Sequence, residues 1–335
     1  MAQNERLTSL LVRNVLGFLG TVVSSRLSIL IYHRVHSATD PLFPFEPDAQ
    51  RFEALMRFVT TTFRVITLGE ALDHLARNTL PPRSLVITFD DGYADNAEIV
   101  MPILQRLGVR ATFFVSTGFL DGGRMWNDSV IECLRTSRKE SIELDAYGLG
   151  RLTLHTADDR RRCIDALLPR IKYLPLAERM DAVRSLQRLC GVGSLPDDLM
   201  MTAGQVRSMH HAGMEIGGHT VNHPILKSIP ASEAEREISD GRRTLETIID
   251  APVDVFAYPN GKPGQDYDMS HVEIVRKLGF RGAVSTAPGV ARHGVDLYEL
   301  PRFTPWGNAK LVWATRLMLN MRNVSFDTAG KLSQE

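Results

Sequence analysis

The run Leu85-Val86-Ile87-Thr88-Phe89 is short, β-branched and apolar, without the polar alternation of a strand that has one face in water. Such a strand is buried on both faces, which places it in a parallel sheet covered by helices. The flanking chain agrees. Leu27 to Tyr32 reads as a first strand, and a Pro-rich loop (Pro41, Pro44, Pro47) leads to a helix from about Asp48 that buries Phe52, Leu55, Met56 and Val59. Phe63 to Thr67 reads as a second strand and Leu68 to Arg77 as a second helix. Beyond Phe89, helical spacing at Ile99, Val100, Ile103, Leu104 and Leu107 closes at Gly108, before the strand Ala111 to Ser116. This alternation predicts βα units in an α/β fold.

The rhythm lapses from Asp121 to Leu199, where the chain is polar and basic. Helical spacing persists there at Ile164, Leu167, Leu168 and Ile171 and, past Pro175, at Met180, Val183, Leu186 and Leu189. With no strand signal, residues 121–199 read as a helical insertion; the alternative is one more βα unit with a long helix. Alternation resumes with the strand Met214 to Gly218, which runs into His219. A helix follows from Ser232 to Ile249, with Ser232 and Glu235 spaced as a capping box. Then come a strand over Val253 to Tyr258, a helix over Val272 to Leu278, strands at Gly282 to Ser285 and Leu300 to Phe303, and a closing helix from Leu311 to Met321. The expected organisation is an N-terminal helical segment over 1–26, an α/β body over 27–120 and 200–308, the insertion over 121–199, and a C-terminal helix and tail over 309–335.

Lys plus Arg and Asp plus Glu each total 39 in the 335 residues, so the formal net charge is zero. That gives no electrostatic footprint for nucleic acid, and none is expected as a partner. Cys133, Cys163 and Cys190 have no metal-binding spacing and read as free thiols. No segment approaches the roughly 20 apolar residues of a membrane span. Near the N-terminus, Arg13-Asn14 interrupts two apolar clusters, which argues against a signal peptide. An amphipathic helix that packs on the body or rests on a membrane surface explains the pattern better, so the expected location is cytoplasmic or membrane-peripheral. The sequence assigns no oligomeric state.

Asp90 and Asp91 stand at the C-terminal end of the apolar strand, where α/β enzymes keep their chemistry. Asp-Asp-Gly can also be a turn with a helix N-cap, but Asp95, one turn later, is the better cap. His219 and His223 are four apart, which on one helical turn puts both imidazoles on one face. Two histidines and one carboxylate suit Zn²⁺, and also Co²⁺, Ni²⁺ or Mn²⁺. The other carboxylate stays ionised beside the cation and can take a proton from water.

The motifs Thr88-Phe89-Asp90-Asp91-Gly92-Tyr93, His219-Thr220-Val221-Asn222-His223-Pro224 and Tyr258-Pro259-Asn260-Gly261 resemble those of the polysaccharide deacetylases (NodB homology, carbohydrate esterase family 4). The resemblance covers roughly residues 27–120 and 200–305. It implies a distorted (β/α)7 barrel and metal-dependent removal of N-acetyl groups from a glycan. Asp90 resembles the catalytic base, and Asp91, His219 and His223 the metal ligands. Tyr93, Pro259, the Asn260 backbone and Trp306 fall on the implied substrate and oxyanion side. Two departures stand out. The family's third motif usually opens with an arginine paired to the base, and Ala257 occupies that place. Arg302 could supply the cation from another strand; the alternative is a surface arginine. The usual late histidine acid is missing, and His33 resembles the one used by circularly permuted members; the alternative is a substrate-contact histidine. Trp126 and Trp306 could stack on sugars or simply pack. Asp266-Tyr267-Asp268 reads as a solvated loop. Rival readings are an O-acetyl esterase or non-glycan amide hydrolase on the same barrel, and a non-catalytic glycan-binding protein.

Overall fold

The computed structural model describes residues 25–304 and 310–321. Its strands are β1 (Arg26–Tyr32), β2 (Arg64–Val65), β3 (Ser84–Phe89), β4 (Thr112–Val115), β5 (Ser141–Glu143) and β6 (Arg151–Thr153). They continue as β7 (Glu215–Gly218), β8 (Val255–Ala257), β9 (Gly282–Pro288), β10 (Ala291–Arg292) and β11 (Leu300–Arg302). Seven of them, in the order β1-β3-β4-β7-β8-β9-β11, lie parallel. Phe303 then joins the end of that row to its beginning, accepting from the Ile31 N–H (3.2 Å) and donating to the Ile29 carbonyl (2.8 Å). The result is a distorted (β/α)7 barrel. Short β2 pairs with the start of β3, and β10 runs antiparallel to the start of β1.

The strand residues Leu27, Ile29, Val86, Phe114, Val255, Val284 and Leu300 are fully buried in one cluster with Leu68, Leu72 and Leu75. Those last three belong to the helix Leu68–Arg77, which a capping box of Thr67 and Glu70 starts. The first two N–H groups of that helix, on Leu68 and Gly69, donate to Glu215 at the foot of β7, each at 2.9 Å. A Cβ on Gly282, at the foot of β9, would stand 2.6 Å from Leu72. The helix therefore plugs the lower end of the barrel, and only the upper, C-terminal end is open to chemistry.

Within the stretch read from the sequence as an insertion, residues 126–195 pack a core of their own. The helices Trp126–Thr136, Ala157–Lys172 and Leu176–Cys190 bury Val130, Leu134, Ile164, Leu167 and Leu186 together, joined by Leu42 from the loop after β1. All three cysteines are buried in this core as free thiols. The unit is not purely helical: β5 and β6 pair as an antiparallel hairpin. Strands of three residues are too short to show a period of two, so periodicity misses them.

Two other expectations change. The long helix begins at Ala231 with Pro230 as its cap residue, and the Ser232–Glu235 box does not form. Pro230 sits at φ −58° and takes the cap position two residues before Ser232, leaving Ser232 inside the first turn. Glu235 instead accepts from Lys277 Nζ at 3.1 Å. The closing helix Lys310–Met321 packs Trp313 edge-on against Phe58, with ring centres 5.8 Å apart. No described helix is long and apolar enough to cross a membrane. Of the expected N-terminal helical segment over 1–26, residues 1–24 lie outside those described, and Arg26 already belongs to β1.

Candidate active site

Asp90 and Asp91 leave the end of β3 at the open mouth of the barrel. The turn that separates them is tight: Asp91 has φ 79° and Gly92 φ 90°, both in the left-handed region. A non-glycine residue held there marks backbone that its surroundings over-determine. The Asp91 carbonyl accepts from Ser116 N–H and the Gly92 carbonyl from Met201 N–H, at 3.2 and 2.9 Å. The two carboxylates therefore point to different partners.

Asp90 meets Arg302 in a two-pronged ion pair, with Nη1–Oδ1 and Nη2–Oδ2 both 2.7 Å. Arg302 also donates to the Ser285 carbonyl (2.8 Å) and to Thr88 Oγ1 (3.2 Å), and only 2% of it is exposed. So β11 supplies the cation that β8 lacks. Burial works against ionisation of Asp90, but Arg302 above all, with His219 and His33, outweighs it and holds the carboxyl below its ordinary value.

Asp91 meets the histidines. Its Oδ1 lies 3.4 Å from Nε2 of both His219 and His223, beyond ordinary hydrogen-bond length, and is buried without a hydrogen-bond partner. These three donors lie within 4.8 Å of one another. A tetrahedral Zn²⁺ with arms of about 2.1 Å would set its ligand atoms about 3.4 Å apart, so the donor set fits a divalent cation. The outer shell fits too. His219 Nδ1 donates to the Ala257 carbonyl at 2.7 Å, which leaves Nε2 as the free lone pair. Burial, which Asp91 opposes and His219 reinforces, pushes His223 down to about 4, so it is neutral near pH 7. Burial is outweighed at His219, where Asp91 and Asp90 raise the value; a cation there would displace its proton.

The histidines do not share a helical turn. They flank a loop in which Thr220 (φ 67°) and His223 (φ 51°) are left-handed, with ring centres 4.8 Å apart. Glu237, from the helix Ala231–Ile249, ties this loop down, accepting from the backbone N–H of Val221 and Asn222 at 3.0 and 2.7 Å and from the Asn222 side chain at 2.7 Å. The helix comes close enough that a Cβ on Gly241 would sit 2.9 Å from the Thr220 backbone. Only a contact across the fold reveals Glu237; local spacing does not.

These groups open into a cavity of about 620 Å³ whose lining includes His33, Tyr93, Trp126, Asp128 and Asn260. His33 is exposed, and its ring has no hydrogen-bond partner among the described residues. Asn260 is left-handed (φ 60°), and its carbonyl accepts from Thr286 Oγ1 at 2.9 Å. Pro259 is buried behind it and does not reach the cavity wall. Trp306 lies outside the described residues. Asp95 does not cap a helix: it accepts from Arg34 Nε (2.8 Å) and Val35 N–H (3.2 Å), tertiary partners that outcompete the local cap. Asp266-Tyr267-Asp268 is not solvated as a run, since Asp266 and Tyr267 are fully buried, Tyr267 stacks on Tyr258 at 3.9 Å, and Asp268 caps the helix Met269–Lys277.

The residue that sequence reasoning missed is Asp128, on the first turn of the insertion helix Trp126–Thr136. It is 3% exposed, accepts from Tyr93 Oη at 3.1 Å through Oδ1, and leaves Oδ2 without a partner. Burial, reinforced by Asp91 and Glu132 against Arg34 and the Tyr93 hydrogen bond, pushes its carboxyl up to about 7.

The polysaccharide deacetylase family model matches residues 77–160 and 186–283, more than half of the chain. A Bacillus subtilis (strain 168) protein, YxkH, assigned by name to the polysaccharide deacetylases, is 21% identical over 85% of this chain and 74% of its own length. A poly-β-1,6-N-acetyl-D-glucosamine N-deacetylase of Staphylococcus aureus is 28% identical over 38% of this chain; the match spans 47% of that enzyme. Among solved structures, the Streptococcus pyogenes deacetylase PplD in complex with acetate aligns over 89% of this chain and 99% of its own, with 19% identity and a TM-score of 0.59. IcaB from Ammonifex degensii aligns over 87% and 97%, with 20% identity and a TM-score of 0.57.

Proposed function

The chain belongs to the polysaccharide deacetylase family, and from that premise we propose that it hydrolyses N-acetyl groups on a glycan, with a divalent cation held by Asp91, His219 and His223. One observation carries the reading: an arginine-paired, ionised Asp90 stands beside a buried Asp91 oxygen that has no partner but a cation-sized gap between two histidines. When bound, the cation supplies Lewis acidity to a water and to the acetamide carbonyl; Zn²⁺ suits the donors best.

The chain's own residues do the rest. Asp90 takes the proton of the attacking water as its oxygen bonds to the acetyl carbon. The Asn260 backbone, at the cavity wall, is the donor for the oxyanion. His33 gives a proton to the nitrogen as the carbon–nitrogen bond breaks, releasing acetate and an amine. Arg302 keeps Asp90 ionised and fixes its orientation. Tyr93 and Trp126 shape the sugar side of the cavity. The likeness to a poly-N-acetylglucosamine N-deacetylase supports an N-acetylated hexosamine as the reacting unit. An O-acetyl ester meets the same groups but needs no proton at its leaving oxygen as pressing as that at an amine, so exposed His33 favours the amide.

The test is acetate release from N- and O-acetylated oligosaccharides, with and without chelator, for the wild type and Asp90→Asn. The variant should keep its metal by elemental analysis and lose about 10²–10⁴ in turnover. Retained turnover in Asp90→Asn would reject it as the base, and chelator-insensitive release would reject the metal.

A further inference from the structure

The wall that the insertion gives to the cavity carries a buried arginine that no carboxylate of the protein neutralises. Arg179, near the start of the helix Leu176–Cys190, is 7% exposed, with its guanidinium 5.4 Å from the centre of the Trp126 ring. Its Nη1 reaches only the Lys172 carbonyl, at 3.4 Å, and its Nε has no hydrogen-bond partner. Burial alone pushes its value down, with no carboxylate acting against it. Lys172 and Lys262 line the same cavity, from the insertion and from the loop after β8. Burial depresses Lys172, Asp266 opposes it, and Lys262 is close enough to add a smaller push downward. A hydrogen bond from Gln265 to the Tyr173 hydroxyl, at 2.5 Å, holds these two walls together.

Elsewhere in the site, the arginines are paired: buried Arg302 with Asp90, and half-buried Arg34 with Asp95 at 2.8 Å. Removing a guanidinium from water without an anion costs several kcal/mol, on the order of the burial penalty for one ion. Of the other carboxylates here, Glu46 pairs with His36 at 2.5 Å, Asp128 holds Tyr93 at 3.1 Å through Oδ1 and is pushed toward its neutral form by burial, and Asp266 acts on Lys172; none acts on Arg179. The missing partner of Arg179 is therefore a ligand group. A planar guanidinium matches carboxylate or phosphate oxygens in pairs, two lysines add point charges, and an indole face suits a sugar ring. At about 620 Å³ the cavity is larger than one acetamido sugar needs.

We propose that Arg179, Lys172 and Lys262, backed by Trp126, form a subsite for an anionic group on the glycan, a carboxylate or a phosphate ester. The substrate class is then an acidic or phosphorylated N-acetylated glycan. The subsite rests on the deacetylase reading for the statement that its ligand is a glycan.

The test is a ligand-detected NMR titration of the full chain, kept in chelator, with glucose, glucuronate and glucose 1-phosphate. Chelation removes the cation as a competing anion site, so binding is read apart from catalysis. At least one acidic sugar should bind tenfold or more tighter than glucose, and which one does so separates carboxylate from phosphate. Arg179→Gln should abolish that preference. Lys262→Gln, at an exposed position where folding is not at risk, should weaken it several-fold. Equal binding of all three sugars overturns the subsite, and so does an acidic preference that survives both variants. A failed deacetylase reading shows separately, as acidic-sugar binding without acetate release by the metal-loaded protein.

Discussion

Two aspartates, each 3% exposed, line one cavity and are held in opposite states. Asp90, on the barrel rim, lies below its ordinary value because the Arg302 guanidinium outweighs burial. Asp128, on the insertion, is pushed up to about 7 because burial wins, with Asp91 and Glu132 adding to it. Asp90 has an arginine bonded to both its oxygens, whereas Arg34 acts on Asp128 without a hydrogen bond and is outweighed. On the rim, Asp90 is satisfied by Arg302 within the protein, and the one bare oxygen, Asp91 Oδ1, faces the two histidines. The insertion leaves Asp128 Oδ2 and Arg179 Nε bare. On the proposed reading, the barrel supplies the reacting groups and the insertion the groups that meet the ligand.

Arg302→Met breaks the comparison most severely, because it turns Asp90 into a second Asp128. Taking one partner from a buried pair costs about 3–5 kcal/mol. The sign of the pH effect follows. Asp90 is depressed in the folded protein, so its contribution to stability is present above the unfolded value and is lost as pH falls through the folded one. Without Arg302, burial no longer meets opposition from that charge, the Asp90 value rises, and the acid limb of kcat/KM moves upward. A thermal melt and a pH–rate profile check both; an unmoved acid limb would show that Arg302 is merely structural.

How much of this was legible in the chain follows the same division. The rim was legible because its residues announce themselves: an unalternating strand ending in two carboxylates, and an arginine absent at Ala257 that directs attention to Arg302. The geometry of the histidine pair was not. Spacing of four suggests a helical turn, whereas two left-handed residues, Thr220 and His223, bring the rings together. Ser232 and Glu235 have the right types and spacing for a cap, but Pro230 overrides them by fixing where the helix begins. Asp95 looked local and proved tertiary, because Arg34 and Val35 compete for it, whereas Asp266 looked solvated and is buried, its Oδ2 accepting from the nearby Lys262 N–H. Asp128 gave no sign, since a lone aspartate on an insertion helix means nothing until the fold brings Tyr93 to it.

Glu237→Ala tests whether the rim depends on satisfaction at one remove. Glu237 touches no proposed reactant, yet it is the common acceptor of the loop between the two histidines. Leaving those N–H groups unpaired should cost about 1–3 kcal/mol. Loosening the His223 ligand should weaken metal affinity by about 10–100-fold, as the loss of an outer-shell partner does. A chelator competition titration reads the second effect directly. Gln should rescue part of it, since its amide oxygen still accepts. Metal affinity unchanged in Glu237→Ala would mean that the left-handed turn holds the pair unaided.

Asp128→Asn produces the smallest effect and bears most directly on the contrast between the aspartates. Asparagine keeps the acceptor for Tyr93 and the shape of the side chain, and removes only the titration. Because the folded value of Asp128 is raised, the neutral form is favoured in the folded protein. Its contribution is fully present below the unfolded value, near 3.8, and is lost as pH rises through about 7. The variant should thus match the wild type at pH 4 and melt a few degrees higher at pH 8, since 1 kcal/mol corresponds to about 2–4 °C in larger domains. Loading the metal offsets the Asp91 charge and should narrow the gap at pH 8. A gap of equal size at both pH values would mean that packing, and not ionisation, separates the two side chains, and the contrast between rim and insertion would then lose its electrostatic basis.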